Sequence, residues 1–195
     1  MLKRAETTSS EPPRNFWIDC LVFVLLVALG VMGRHWLIEL PNFTPMAAIG
    51  VFAGFYFRRL TVAMLVPLAA MAIANVWLPI YGSLLIAAVC YAAFFLPVLL
   101  PRLLRRAPRL AQAAAYGLLP AVAFYVTSNF AEWAAGSIYQ RNFAGLIECY
   151  AMAVPFFRNN VAGDIFYLAL VFGTYAIVQA ASVRHARRAY AIVRG

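Results

Sequence analysis

A chain of 195 residues that is 65% hydrophobic and only 12% charged is unlike a soluble domain, which is about half apolar and a quarter charged. Its net charge of +9 would fit a nucleic-acid binder only if the basic residues clustered on one solvated face, and here they stand between apolar runs. Cys20, Cys90 and Cys149 show no C-x-x-C and no spacing that would chelate zinc, so neither a disulfide framework nor a zinc site is indicated.

In chain order, residues 1–15 are polar and include Pro12 and Pro13, which reads as a disordered cytoplasmic arm. The run Phe16 to Gly33 is long for a signal peptide and no clear small-x-small cleavage site follows it, so it reads as a retained first crossing. Further apolar runs occupy Pro45 to Phe57, Thr61 to Leu78, Tyr81 to Leu100, Ala111 to Trp133 and Asp164 to Val183. Most approach the roughly 20 residues that cross a bilayer. The stretch Phe143 to Phe157 would span only about 22 Å as a helix, so it is expected as a short interfacial or re-entrant helix in the last outer loop. Re-entrant backbone needs protein or a water-filled cavity to satisfy it, so this segment is expected to cover or line a cavity. The fold class is therefore all-α integral membrane, with about six transmembrane helices over residues 16–183 and a basic cytoplasmic tail at 184–195.

Loop charges give an independent test, because cytoplasmic loops collect Lys and Arg. With six crossings and the N-terminus inside, the inner segments hold Lys3, Arg4 and Arg14, then Arg58 and Arg59, then Arg102, Arg105, Arg106 and Arg109, then Arg184, Arg187, Arg188 and Arg194. Only Arg34, Arg141 and Arg158 remain outside. Counting Phe143 to Phe157 as a seventh crossing would spoil the alternation. The expected location is a bacterial inner membrane with both termini cytoplasmic.

The outer side then gathers amides, acids and aromatics that a small-molecule pocket needs among apolar walls. In Pro41-Asn42-Phe43-Thr44-Pro45, Thr44 suits an N-cap and Pro45 the first helical position. Helix 2 is short, so its positive N-terminal end is expected below the outer surface, with Asn42 and Thr44 at a ligand site. Thr127-Ser128-Asn129 offers a second polar cluster near the outer end of helix 5, and His35, Trp133, Tyr150, Asn159 and Asp164 complete the expected substrate-binding set. Glu132, Glu148 and Asp164 also read as solvated carboxylates, and His35 as an interfacial histidine beside Trp36. Gly50-x-x-x-Gly54 and Ala70-x-x-x-Ala74 permit close helix approach, within the bundle or against a partner. No H-E-x-x-H, Walker A or G-x-S-x-G pattern occurs, so neither zinc protease, ATPase nor serine hydrolase chemistry is signalled; no metal or cofactor is expected, and an intramembrane enzyme using Glu132, Glu148 or Asp164 is the weakest of the readings.

Pro41-Asn42-Phe43-Thr44-Pro45, Gly54-Phe55-Tyr56, Thr127-Ser128-Asn129-Phe130 with Trp133, Cys149-Tyr150, Pro155-Phe156-Phe157-Arg158-Asn159 and Gly163-Asp164 together resemble an uncharacterised family of small bacterial membrane proteins related to the S-components of energy-coupling-factor vitamin transporters. The resemblance implies a six-helix bundle with an outward-facing vitamin pocket, and a partner made of a transmembrane coupling subunit with two ATPases. S-components that dock there show Ala-x-x-x-Ala on helix 1, whereas Ala28 is followed by Met32, so a solitary carrier stays open. The stretch from Gly33-Arg34-His35-Trp36 to Gly54-Phe55-Tyr56 is also similar to the solitary cobalamin carriers, which makes cobalamin a candidate solute.

The expected function is binding and uptake of a small vitamin-like solute from the outer face. The alternative is a noncatalytic accessory or assembly subunit that binds another protein through its outer loops. A cysteine placed between Arg102 and Arg109 is expected to resist membrane-impermeant thiol reagents in intact cells. Labelling there would overturn the orientation.

Overall fold

The computed structural model describes residues 15–36, 39–78 and 81–194. The arm expected at 1–15 lies outside them except for Asn15. Seven helices follow one another: α1 Phe16–Trp36, α2 Met46–Tyr56, α3 Leu60–Ala74, α4 Leu84–Ala93, α5 Phe95–Leu103, α6 Arg109–Ala135 and α7 Phe143–Arg194. Among the described residues no strand occurs.

Only Phe94 separates α4 from α5, and the cause is Pro97, which has no N–H to give Ala93 and whose ring crowds that carbonyl. The two pieces form one apolar rod, Leu84–Leu103, so the molecule is a bundle of six rods. Four of them, Phe16–Trp36, Leu84–Leu103, Arg109–Ala135 and Phe143–His185, are long and apolar enough to cross a membrane. α2 and α3 are shorter apolar helices.

α2 sits at the centre. Every one of its residues except Phe55 is buried, the signature of a helix apolar on all sides. Its small residues let neighbours close in: a Cβ on Gly54 would fall on the Val98 carbonyl of α5, and one on Gly50 would stand 3.1 Å from Pro97. Gly50-x-x-x-Gly54 is thus an intramolecular seam. Ala70 of the second small-residue pair faces Gly30 of α1. On the opposite flank Phe52, Phe55 and Tyr56 meet the rings of Phe172 and Tyr175 from α7.

Polar bonds fasten the arginine-rich end. Tyr56 donates to Asp19 at 3.0 Å, and Arg102 donates to the Phe57 carbonyl at 2.8 Å, which ties α5 to the α2–α3 turn.

One expectation is corrected. Phe143 to Phe157 is not a separate interfacial or re-entrant helix: α7 runs unbroken for 52 residues, and its first third packs antiparallel on α6. Tyr150 donates to the Val126 carbonyl at 2.7 Å, Phe157 lies 4.9 Å from Tyr125 ring to ring, and Ile165 faces Gly117. The polar triplet Arg158-Asn159-Asn160 resembles a loop in sequence, yet it contains neither Gly nor Pro, and asparagine costs a helix well under about 1 kcal/mol. Tertiary contacts described below outweigh that. Pro155 is accommodated within the helix.

Because the Gly54 position touches backbone that cannot swing away, Gly54→Ala is expected to lower stability by about 3 kcal/mol, at the upper end for overpacking. Gly82, with nothing within 4 Å of a built Cβ, should accept Ala with almost no change. Thermal unfolding of the two variants in detergent checks the contrast.

Candidate functional site

The turn that leads into α2 is shaped residue by residue. Asn42 adopts φ 65°, the only positive φ among the described non-glycine residues, a left-handed conformation that Asn tolerates better than most residues. Its carbonyl accepts from Thr44 N–H at 3.0 Å, and α2 begins at Met46 with Pro45 at the cap position and no side-chain capping bond. This corrects the expected cap by one residue: Thr44 does not cap the helix, which leaves its hydroxyl available elsewhere.

α7 holds this turn in place. Phe43 packs on Phe166 and Tyr167, and Asn159 donates to the Pro41 carbonyl at 3.1 Å. A Cβ at Gly163 would stand 3.2 Å from both Phe43 Cα and Thr44 N, so glycine is what allows α7 to lie against the turn's backbone.

Behind the turn lie two adjoining cavities of about 50 Å³ each. Asn42, Phe124 and Asn160 line both. The first also has Arg34, Thr44, the α2 N-terminal residues Met46 and Ala47, and Phe94 and Pro97 at the α4–α5 break. The second adds Ser128 and Asn129 of α6. The side chains of Asn42, Thr44 and Asn160 make no hydrogen bond to any described residue, whereas those of Thr127, Ser128 and Asn129 each donate to the carbonyl four residues back in α6, the usual self-satisfaction of such residues in a helix.

Arg34 enters from the end of α1. Its guanidinium crosses to α3, where Nη1 donates to Met71 Sδ at 3.0 Å and Nη2 to Asn75 Oδ1 at 3.2 Å. Asn75 in turn donates to the Tyr91 hydroxyl at 3.0 Å. Tyr81, just before α4, lies beside Arg34. Burial pushes the Tyr81 phenol up, reinforced by Cys90 and partly offset by Arg34, so it remains neutral. Arg34 Nε is buried with no partner.

Asp164 stands one helical turn past Asn160 on the same face of α7, between Gly163 and Tyr167. It is 1% exposed, the one charged side chain buried among the described residues, and its Oδ2 has no partner. No ion pair joins it to Arg34.

Of the residues expected at a site, the structure brings Asn42, Thr44 and Asn129 to the cavities, with Asn159 tying the turn and Asp164 buried behind it. Three lie elsewhere. His35 stacks edge-on against Trp77 at 5.9 Å, Trp133 donates to the Gln140 carbonyl, and Tyr150 lines an apolar groove between α4 and α6. Sequence reasoning missed the weight of Arg34 and Asn160. The signal for Arg34 was its place: an arginine at the end of the first apolar run, on the side where basic residues are scarce.

A helical bundle with four helices of membrane-spanning length and a small polar cleft between them is the class of protein defined here. The chain belongs to a family of unknown function, DUF6580, whose model matches residues 14–187. No curated protein and no solved structure matches it.

An ionised carboxylate buried with an open oxygen is costly. Asp164→Asn, which keeps the shape and removes the charge, is therefore expected to stabilise the protein by about 1–3 kcal/mol at alkaline pH. A lower unfolding midpoint for that variant would show that Oδ2 is serving an interaction that matters to the fold.

Proposed function

We propose that this protein is a membrane solute-binding and uptake protein of the carrier type, with the cleft behind the Pro41–Pro45 turn as its binding site. One observation carries the reading: the open side chains of Asn42, Thr44 and Asn160 converge with Arg34 where α1, α2, α6 and the α4–α5 break meet. Half-buried polar groups held apart from one another at a cavity are what a ligand satisfies.

The distribution of arginines supports an orientation with both ends of the chain inside, which makes the cleft accessible from outside. The solute is small and vitamin-like. Cavities of about 50 Å³ each compare with about 30 Å³ for one water in the liquid and about 300 Å³ for the smaller ligand pockets. The closed bundle thus grips a polar group rather than a whole vitamin, and capture requires it to open. Cobalamin, the bulkiest candidate, would demand the largest opening. The α4–α5 break supports such a motion, because an interrupted helix beside a site is a recurring device of transporters. Energy would come from a coupling subunit with two ATPases or, for a solitary carrier, from the solute gradient.

Thermal unfolding of the purified full-length protein against a library of vitamins and small metabolites tests the proposal. At least one compound is expected to raise the midpoint saturably, and Thr44→Val and Asn160→Leu should each reduce that rise. A library that gives no rise, or a rise untouched by both variants, would defeat the assignment.

A further inference from the structure

We infer that the cleft binds its solute through a carboxylate, which Arg34 anchors; this rests on the solute-binding reading above and names the chemical class. Arg34 lines the first cavity, and its guanidinium is fixed there by neutral acceptors alone, Met71 Sδ and Asn75 Oδ1, with the neutral Tyr81 phenol beside them. No carboxylate of the described residues forms an ion pair with it. Among the described residues no acid, Glu132 on α6 and Asp164 on α7 included, lines either cavity.

The usual explanation for an arginine in the last turn of a helix is that it neutralises the helix's own C-terminal carbonyls. Arg34 does not do this, for its Nη atoms are turned across to α3. What remains is a positive group whose Nε–H is buried and unmet. Arginine presents Nε–H and an Nη–H side by side, the fork that takes a carboxylate in two parallel bonds.

A second feature has the same sign. Met46 and Ala47, the first residues of α2, line the same cavity, and no side chain caps that helix and no acid lies in its first turn. The partial positive charge of a helix start thus adds to that of Arg34, with the open amides of Asn42 and Asn160 alongside to accept or donate to the rest of the solute. A cavity of about 50 Å³ holds a carboxylate group and little more, so the body of the solute lies toward the second cavity, which Asn42 and Asn160 also line.

The test compares each acid with its own amide: acetate with acetamide and benzoate with benzamide, titrated into the purified full-length protein at constant ionic strength set with sodium chloride. At least one acid is expected to raise the unfolding midpoint saturably while its amide does not. Arg34→Gln, which keeps a donor toward Asn75 but loses the charge, should abolish the rise. If Arg34→Gln does not fold, Arg34→Lys keeps the charge without the fork and is expected to weaken binding about tenfold or more. Acids that act no differently from chloride, amides that match their acids, or full affinity in both arginine variants would overturn the inference. A neutral metabolite that stabilises the protein while the acids do not would overturn the carboxylate assignment alone and leave solute binding standing; no response to any compound would overturn both.

Discussion

The enclosure of α2 is the constraint from which the rest follows. Eleven residues, all but Phe55 buried, are surrounded by α1, α3, α5, α6 and α7. Close packing on every side is possible only because Gly50 and Gly54 admit the α5 backbone. In lipid, where burying apolar surface brings little advantage, such close contact is a principal source of helix association. A helix about 16 Å long inside longer ones must also start or stop within the bundle. Its lower end is closed by Tyr56 and the Arg102 bond to Phe57. Its upper end is left uncapped, and that is where the cleft forms.

Around that upper end the polar groups divide into two kinds. Thr127, Ser128 and Asn129 bond to their own helix, and Asn75 bridges Arg34 and Tyr91; these side chains are at rest. The half-buried side chains of Asn42, Thr44 and Asn160 make no hydrogen bond to a described residue, and three atoms are buried without a partner: Arg34 Nε, Asp164 Oδ2 and His35 Nε2. Each of the three buried atoms costs about 1–3 kcal/mol while it stays unmet. Arg34, Asn42, Thr44 and Asn160 all line the cavities behind one turn, and that grouping is what marks the cleft out, whereas Asp164 and His35 line neither cavity.

Much of this was readable in the residues. Apolar runs and their lengths located α1, α2, α3, the α4–α5 rod and α6 to within a few residues, because a helix in lipid needs both apolar content and a minimum length, and sequence displays both. Pro41 to Pro45 announced a turn at the head of a short helix. Two things were hidden. Arg158-Asn159-Asn160 looked like the end of one helix and the start of another, because local polarity does not reveal that Asn159 reaches the Pro41 carbonyl across 118 residues and Asn160 faces a cavity. Nor can hydropathy distinguish an arginine that snorkels from one that turns inward to Met71 and Asn75, as Arg34 does; that depends on a partner helix. His35, Trp133 and Tyr150 were grouped with the site on outer-end position alone, and they fall on other faces.

The continuity of α7 has a consequence for the lipid itself. The segment Phe143–His185 contains 43 residues and is about 65 Å long, against a hydrocarbon thickness of about 30 Å. Even at a tilt of about 40°, the upper end of what transmembrane helices show, it would extend about 50 Å along the membrane normal. Tilting alone does not bring that length within the hydrocarbon, so the first part of the helix, which carries Glu148 and Arg158-Asn159-Asn160, has to leave the lipid or bend. Pro155, which interrupts the hydrogen-bond ladder near the first quarter of the helix, is where such a bend would cost least.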